Sequence, residues 1–285
     1  MKKQFATLLT GIFLIHTTLS AFDLELNASY DYFRGLPDGS WNGNSGAFIS
    51  ANLGTCFYER IGAQLGASYG LYNWDGRENQ VFQNPKKLEQ QAFITAGIFS
   101  SWGQFNGGIT YDRQFTRNFS IYSQNLSVDQ LRFQAGYQFC REELGVWGTT
   151  NLTTSHKRAL GIPVNFRAIS QMNFFWSHYF ENRALSTLWI GAPYTHSLRF
   201  PHKTAGVITA GFALRAPLGE NLFVDGHGSY MRARKTTGAT QSRNYDANVC
   251  VGITYVFGGR CCNYSATYMP VANNSNFLMD TNINN

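Results

Sequence analysis

Beyond its first 21 residues the chain contains no apolar run approaching the roughly 20 residues that a helical membrane span requires. Helical spans are therefore excluded past the N-terminus. Charge is scarce, at 14% of the 285 residues, and Pro is limited to 7. The 5 cysteines include no CxxC and no Cys/His metal-ligand spacing, which argues against a zinc site. No aromatic and basic repeat suited to nucleic acid occurs, so neither a nucleic-acid partner nor a cofactor is expected. What the chain has instead is 28 Gly, 23 Phe and 15 Tyr, with a mean hydropathy of -0.24. A soluble β-sandwich would suit the same composition, so pattern must decide.

The pattern is alternation. From Ala247 to Phe257 every second residue (Ala247, Val249, Val251, Ile253, Tyr255, Phe257) is apolar, and Asn248, Cys250, Gly252 and Thr254 lie between them. A period of two makes a strand with one greasy and one wet face. A strand of about ten residues ending in aromatics has the length and the interfacial anchors of a bilayer crossing. The same period recurs from Phe22 to Tyr32, Ala47 to Tyr58, Ile61 to Leu71, Ala92 to Ser100, Phe105 to Arg113, Leu131 to Phe139, Val207 to Ala216 and Leu222 to Ala233. Between Ile169 and Phe180 the run Phe174, Phe175, Trp176 blurs it.

Connections sort into two sets. Short ones, such as Glu59 and Arg60 between two long alternating runs, are hairpin turns; long polar ones, such as 73 to 90, 114 to 127 and 234 to 245, are loops. About five short turns and about six long loops around about twelve strands are the pattern of an all-β, antiparallel, up-and-down transmembrane β-barrel. In lipid an open sheet edge is not tolerated, so closure follows from the location. Residues 1–21, with Lys2 and Lys3, an apolar core and Ser20 and Ala21, form a secretory signal peptide cut after Ala21, or after Ser20 with Thr18 as the small residue upstream. The barrel is then expected over 22–257, and 258–285 as a periplasmic, cysteine-containing tail.

Parity assigns Glu25, Asp31, Gln64, Arg132, Gln134, Asp225 and His227 to the interior, as candidate pore-lining residues. Asp225, His227 and Ser229 share one face of a strand, which invites a hydrolase reading. The His-x-Ser pair resembles that of the outer-membrane phospholipase, whose pair faces lipid, whereas here Leu222, Val224 and Tyr230 claim that face. Residues two apart on a strand are also about 7 Å apart at Cα, so the bland reading as polar lumen residues is preferred.

The long loops carry Lys86, Lys87, Arg117, Lys157, Arg158, Arg199, Lys203, Arg234, Lys235 and Arg243, while the short turns carry Glu59, Glu142, Glu143, Glu181 and Glu220. A basic outer face would concentrate anions or pair with the phosphates of lipopolysaccharide. Cys56, Cys140, Cys250, Cys261 and Cys262 are disulfide candidates, and their odd number leaves a free thiol or a bond to another chain.

Phe223 to Gly226, Tyr255 to Gly259, the Cys261–Cys262 pair and the tail from Tyr268 to Asn274 resemble an uncharacterised exported β-barrel family of planctomycetes and chlamydia-like bacteria. The resemblance implies an outer-membrane location and disulfide cross-linking between surface proteins. Unlike an ordinary porin, the chain does not stop at the aromatic Phe257. The expected function is a porin-like channel for passive diffusion of small polar or anionic solutes, without enzymatic activity. The alternative is a non-conducting structural or adhesive surface barrel, homo-oligomeric or linked by disulfides to envelope partners.

Overall fold

A computed structural model describes residues 22–34, 43–58, 60–73, 88–119, 123–159, 161–196, 204–233, 246–258 and 278–283. The signal segment with its Ala21 boundary, Arg199, Lys203, Arg234, Lys235, Cys261 and Cys262 lie outside the described residues.

Fifteen strands are described: β1 (Phe22–Arg34), β2 (Gly43–Tyr58), β3 (Ile61–Asn73), β4 (Glu89–Trp102), β5 (Phe105–Phe119), β6 (Gln124–Phe139), β7 (Glu142–Asn151), β8 (Thr154–Ala159), β9 (Ile162–Ala168), β10 (Gln171–Tyr179), β11 (Leu185–Pro193), β12 (Gly206–Pro217), β13 (Leu222–Ala233), β14 (Asp246–Gly258) and β15 (Met279–Ile283). Twelve of them close into one antiparallel barrel in chain order, with β7 next to β10 and β14 paired back to β1. The closing seam is continuous, from Asp23 opposite Gly258 to Arg34 opposite Ala247. Every barrel strand thus has two neighbours, and no backbone edge faces outward.

The alternation predicted from sequence sets the two faces. Outward positions are large and apolar on strand after strand: Ile49, Leu65, Ile98, Ile190 and Val251 are all more than half exposed. Near the short turns Trp102, Phe105, Phe139, Phe180, Tyr255 and Phe257 form one outward aromatic ring, and Tyr30, Tyr32, Tyr69, Phe174 and Tyr194 form another toward the long connections. In water this belt would be a heavy liability; in a bilayer it is what an apolar band with two aromatic girdles requires.

Several elements differ from the sequence reading. β5 runs on to Phe119 and β6 starts at Gln124, inside what reads as a loop from 114 to 127. Polar residues such as Gln114 and Thr116 stay in register with β6 there, opposite Val128 and Leu126. Lys157 and Arg158 belong to strand β8 rather than to a loop, because residues 154–168 form a hairpin. Its second strand, β9, pairs on its other side with β15, giving a separate three-stranded sheet in the order β15-β9-β8. Gly258 closes β14 beside the short turns, yet β15 lies by β9, beyond the opposite ends of β7 and β10. Residues 279–283 of the expected tail thus lie at the barrel end away from the short turns, where β9 offers five residues of ladder and an apolar seat.

Candidate functional site: the barrel interior

The sheet β15-β9-β8 lies against the inner wall at the long-connection end. Val164, Phe166 and Ala168 of β9 and Met279 of β15 are buried in one cluster with Phe93 of β4, Phe119 of β5, and Leu126 and Val128 of β6. Phe93, Leu126 and Val128 share the inward parity of Thr95, Gln130 and Arg132, and Phe119 joins them through the register shift after Thr116. Phe166 meets Phe119 edge-on, with ring centroids 6.0 Å apart. Beside it, Leu278 packs with Ile169 and Met231, and its carbonyl accepts the Ile169 amide at 2.8 Å. β9 is buried from Val164 onward apart from the half-buried Arg167, so chain occupies the outer end of the interior beside β4, β5 and β6.

A second filling occupies the sector under β7, β10 and β11. Trp147 and Phe175 are fully buried and pack with Trp189, whose ring stands edge-on to Trp147 at 5.8 Å. Glycine on the wall makes room for the rings. A Cβ at Gly145 would come within 2.6 Å of Phe175, and one at Gly211 within 2.3 Å of Trp189. This explains the blurred run Phe174, Phe175, Trp176: alternation persists, but Phe175 faces aromatics inside while its neighbours face outward.

The remaining interior is polar and cross-linked. Arg215 donates to Asp225 through Nε at 2.6 Å and to Glu25 through Nη1 at 2.8 Å, joining β12, β13 and β1 across the closing seam. Thr254 donates to Asp225, and Asn27 to Thr254 at 2.8 Å. A second network centres on Asp112, which accepts from Thr95 at 2.6 Å, from Gln130 at 3.2 Å, and from Arg132 through Nε and, at 2.7 Å, through Nη2. In a third, Asp31 accepts from Asn248 and from the Tyr72 hydroxyl. Glu143 accepts from Tyr179 at 2.5 Å near the short turns.

All seven candidate lining residues face inward. Glu25, Asp31, Gln64, Arg132 and Gln134 are buried, and Asp225 and His227 half-buried. The structure brings Glu25 together with Asp225, and keeps Arg132 and Asp31 in separate networks. Asp112, Arg215, Asn248 and Tyr72 were missed; their inward parity is legible, their partners are not. Asp225, the carboxylate two residues from His227, is engaged by Arg215 and Thr254. Cys140 and Cys250 carry free thiols. Cys140 sits in the β6–β7 turn, exposed, rather than facing the lumen from a strand; Cys250 is buried at an inward position. Cys56, also on an inward position, is not among the free thiols.

A closed cylinder with an apolar exterior, two aromatic girdles and a polar interior is a bacterial outer-membrane β-barrel. Residues 17–279 match the model of the Family of unknown function (DUF6666), and the chain belongs to that family. No curated protein matches by sequence. Among solved structures the chain is similar to the translocator domain of autotransporter NalP from Neisseria meningitidis, at 15% identity and a TM-score of 0.44, covering 89% of this chain and 95% of that one. It is similar to outer membrane phospholipase A from Escherichia coli at 10% identity and a TM-score of 0.44, over 84% of this chain and 98% of that one. For the Pseudomonas putida toluene transporter TodX the values are 8% and 0.41, over 84% and 89%.

Proposed function

We propose that the protein is a gated outer-membrane channel for small polar solutes, closed at its outer end by its own chain. The observation that carries this reading is the burial of Val164, Phe166, Ala168 and Met279 against inward residues of β4, β5 and β6. That sheet is held to the wall by side-chain packing and by the Ala168 amide donating to Asn151 Oδ1 at 3.1 Å, and it is outside the barrel's ladder, so its release leaves the cylinder closed.

The loops favour anions through Lys157 and Arg158 on β8, whereas on inward positions Asp23, Glu25, Asp31, Glu89, Asp112, Glu143 and Asp246 are buried, set against the buried Arg132 and the half-buried Arg215. Wall charges act at short range in a low dielectric, whereas exposed loop charges are screened within about 8 to 10 Å at physiological salt. The wall decides, and it favours neutral and cationic solutes. The resemblance of residues 223–274 to barrels of planctomycetes and chlamydia-like bacteria belongs to the same reading, with disulfide linkage left to Cys56, Cys261 and Cys262.

Planar-bilayer recording tests it. The full chain should give rare or small steps, and deletion of residues 278–285 should raise open time or unitary conductance at least several-fold, with a reversal potential on the cation side. A silent bilayer from both proteins would establish the structural barrel instead.

A further inference from the structure

We infer that the solute route is a narrow polar file along the inward face of β5, bordered by β6 and β7, with the Arg132–Asp112 pair as the constriction that sets selectivity. The inference rests on the channel reading above and names its path.

Among the described residues, fourteen buried side-chain polar atoms have no hydrogen-bond partner, and seven of them lie on inward positions of β5, the adjoining β6 and the start of β7, leaving aside Asp129, which pairs with Arg113, and Trp147 of the filled sector. β5 alone carries a column of them: Gln114 Oε1 toward the outer end, Thr110 Oγ1 in the middle and Asn106 Oδ1 near the periplasmic turn. Arg132 Nη1 stands beside Thr110, since the two residues are paired across β5 and β6. At the bottom, Glu143 Oε1 and Asn106 Oδ1 converge over Gly136, where a Cβ would lie 2.2 Å from the first and 2.7 Å from the second. A larger residue there would block the outlet.

Buried polar groups without partners are rare singly because drying them is costly, and a column of them marks where water or a hydrogen-bonding solute lies. Other sectors are occupied. Under β7, β10 and β11 the rings of Trp147, Phe175 and Trp189 fill the space, and the β12–β1 side is bound up by Arg215 with Glu25 and Asp225. On the file wall, Asp112 has all its charge answered by Arg132, and Arg132 keeps one donor for a passing solute. The pair is neutral as a unit, so changing one member leaves a net charge at the narrowest polar point. That is how a selectivity ring works.

Thiol accessibility tests the path without needing conduction. With Cys140 and Cys250 replaced by Ser, Thr110→Cys in the full chain should react with a water-soluble maleimide added from the periplasmic side at least tenfold faster than Thr187→Cys. Thr187 is equally buried but hydrogen-bonded to Ser177 at 2.8 Å in the filled sector. The cysteine parent gives the background, and heat-modifiable migration confirms folding. Equal rates, or no reaction at position 110, overturn the file even if the protein conducts; rapid reaction in a barrel that proves silent keeps the file and removes the channel. For the constriction, Asp112→Asn should move the reversal potential toward anions, and Arg132→Lys should leave it within a few millivolts of the parent's. An unmoved potential in folded Asp112→Asn places the constriction elsewhere.

Discussion

Arg132 and Asp112 are diagonal neighbours on adjacent strands, two residues out of direct register, and Arg132 Nη2 donates to Asp112 Oδ1 at 2.7 Å with both side chains almost wholly withdrawn from solvent. Burying a charge is tolerable only when it is answered, so the pair is most informative when one half is removed. Asp112→Ala strands the guanidinium and should cost about 3 to 5 kcal/mol. Replacing both with apolar residues, Arg132→Met with Asp112→Leu, should recover most of the loss. Urea unfolding followed by tryptophan fluorescence in lipid vesicles measures this; a double variant no better than Asp112→Ala would show that the pair is not an isolated electrostatic unit.

Phe166 separates the plug from the barrel. It is fully buried, but on a sheet outside the cylinder's ladder. Phe166→Ala should cost about 3 to 5 kcal/mol of packing, spent on the plug's attachment. The barrel's unfolding midpoint should stay where it is, while tryptic cleavage after Lys157 or Arg158 should rise by about a hundredfold to a few thousandfold, at about 1.4 kcal/mol per factor of ten. A drop in the barrel midpoint with unchanged proteolysis would mean that plug and wall unfold as one unit.

How much of this was legible in the sequence depends on whether a feature is local. β13 is found at its predicted bounds, Leu222–Ala233, since period two is written in the strand itself. The short turns are legible for the same reason. β9 carries Val164, Phe166 and Ala168 at alternate positions, a readable signal, but Pro163 and the basic run before it make the segment look like a loop. β15 is different in kind: nothing within Met279–Ile283 specifies β9 as its partner, more than a hundred residues away. The interior networks follow the same rule. Parity places Glu25 and Asp225 inside, but Arg215 joins them only because closure brings β1, β13 and β12 together, a consequence of strand number and register.

Leu65 tests the apolar band. It is more than half exposed on β3, four residues from Tyr69 on one side and from Ile61 on the other. An arginine near the bilayer midplane costs about 2 to 4 kcal/mol on a barrel's lipid face, so Leu65→Arg should lower the unfolding free energy in vesicles by that amount. Leu65→Ala should lower it far less, because no packed interior is lost. Equal effects would mean that this face meets protein rather than lipid.

Cys140 and Cys250 fix the orientation. Both are free, one exposed in the β6–β7 turn and the other 2% exposed at an inward position on β14. With short turns periplasmic, an impermeant maleimide should leave Cys140 untouched on intact cells and modify it once the outer membrane is permeabilised. Cys250 should react only after unfolding. Cys140 also holds a φ of +53°, a left-handed conformation that costs a side chain roughly 1 to 2 kcal/mol and glycine little. Cys140→Gly should therefore remove the periplasmic label without lowering stability, which separates loss of the thiol from loss of the turn. Labelling of Cys140 on intact cells would place the short turns outside, and with them the plug sheet on the periplasmic side.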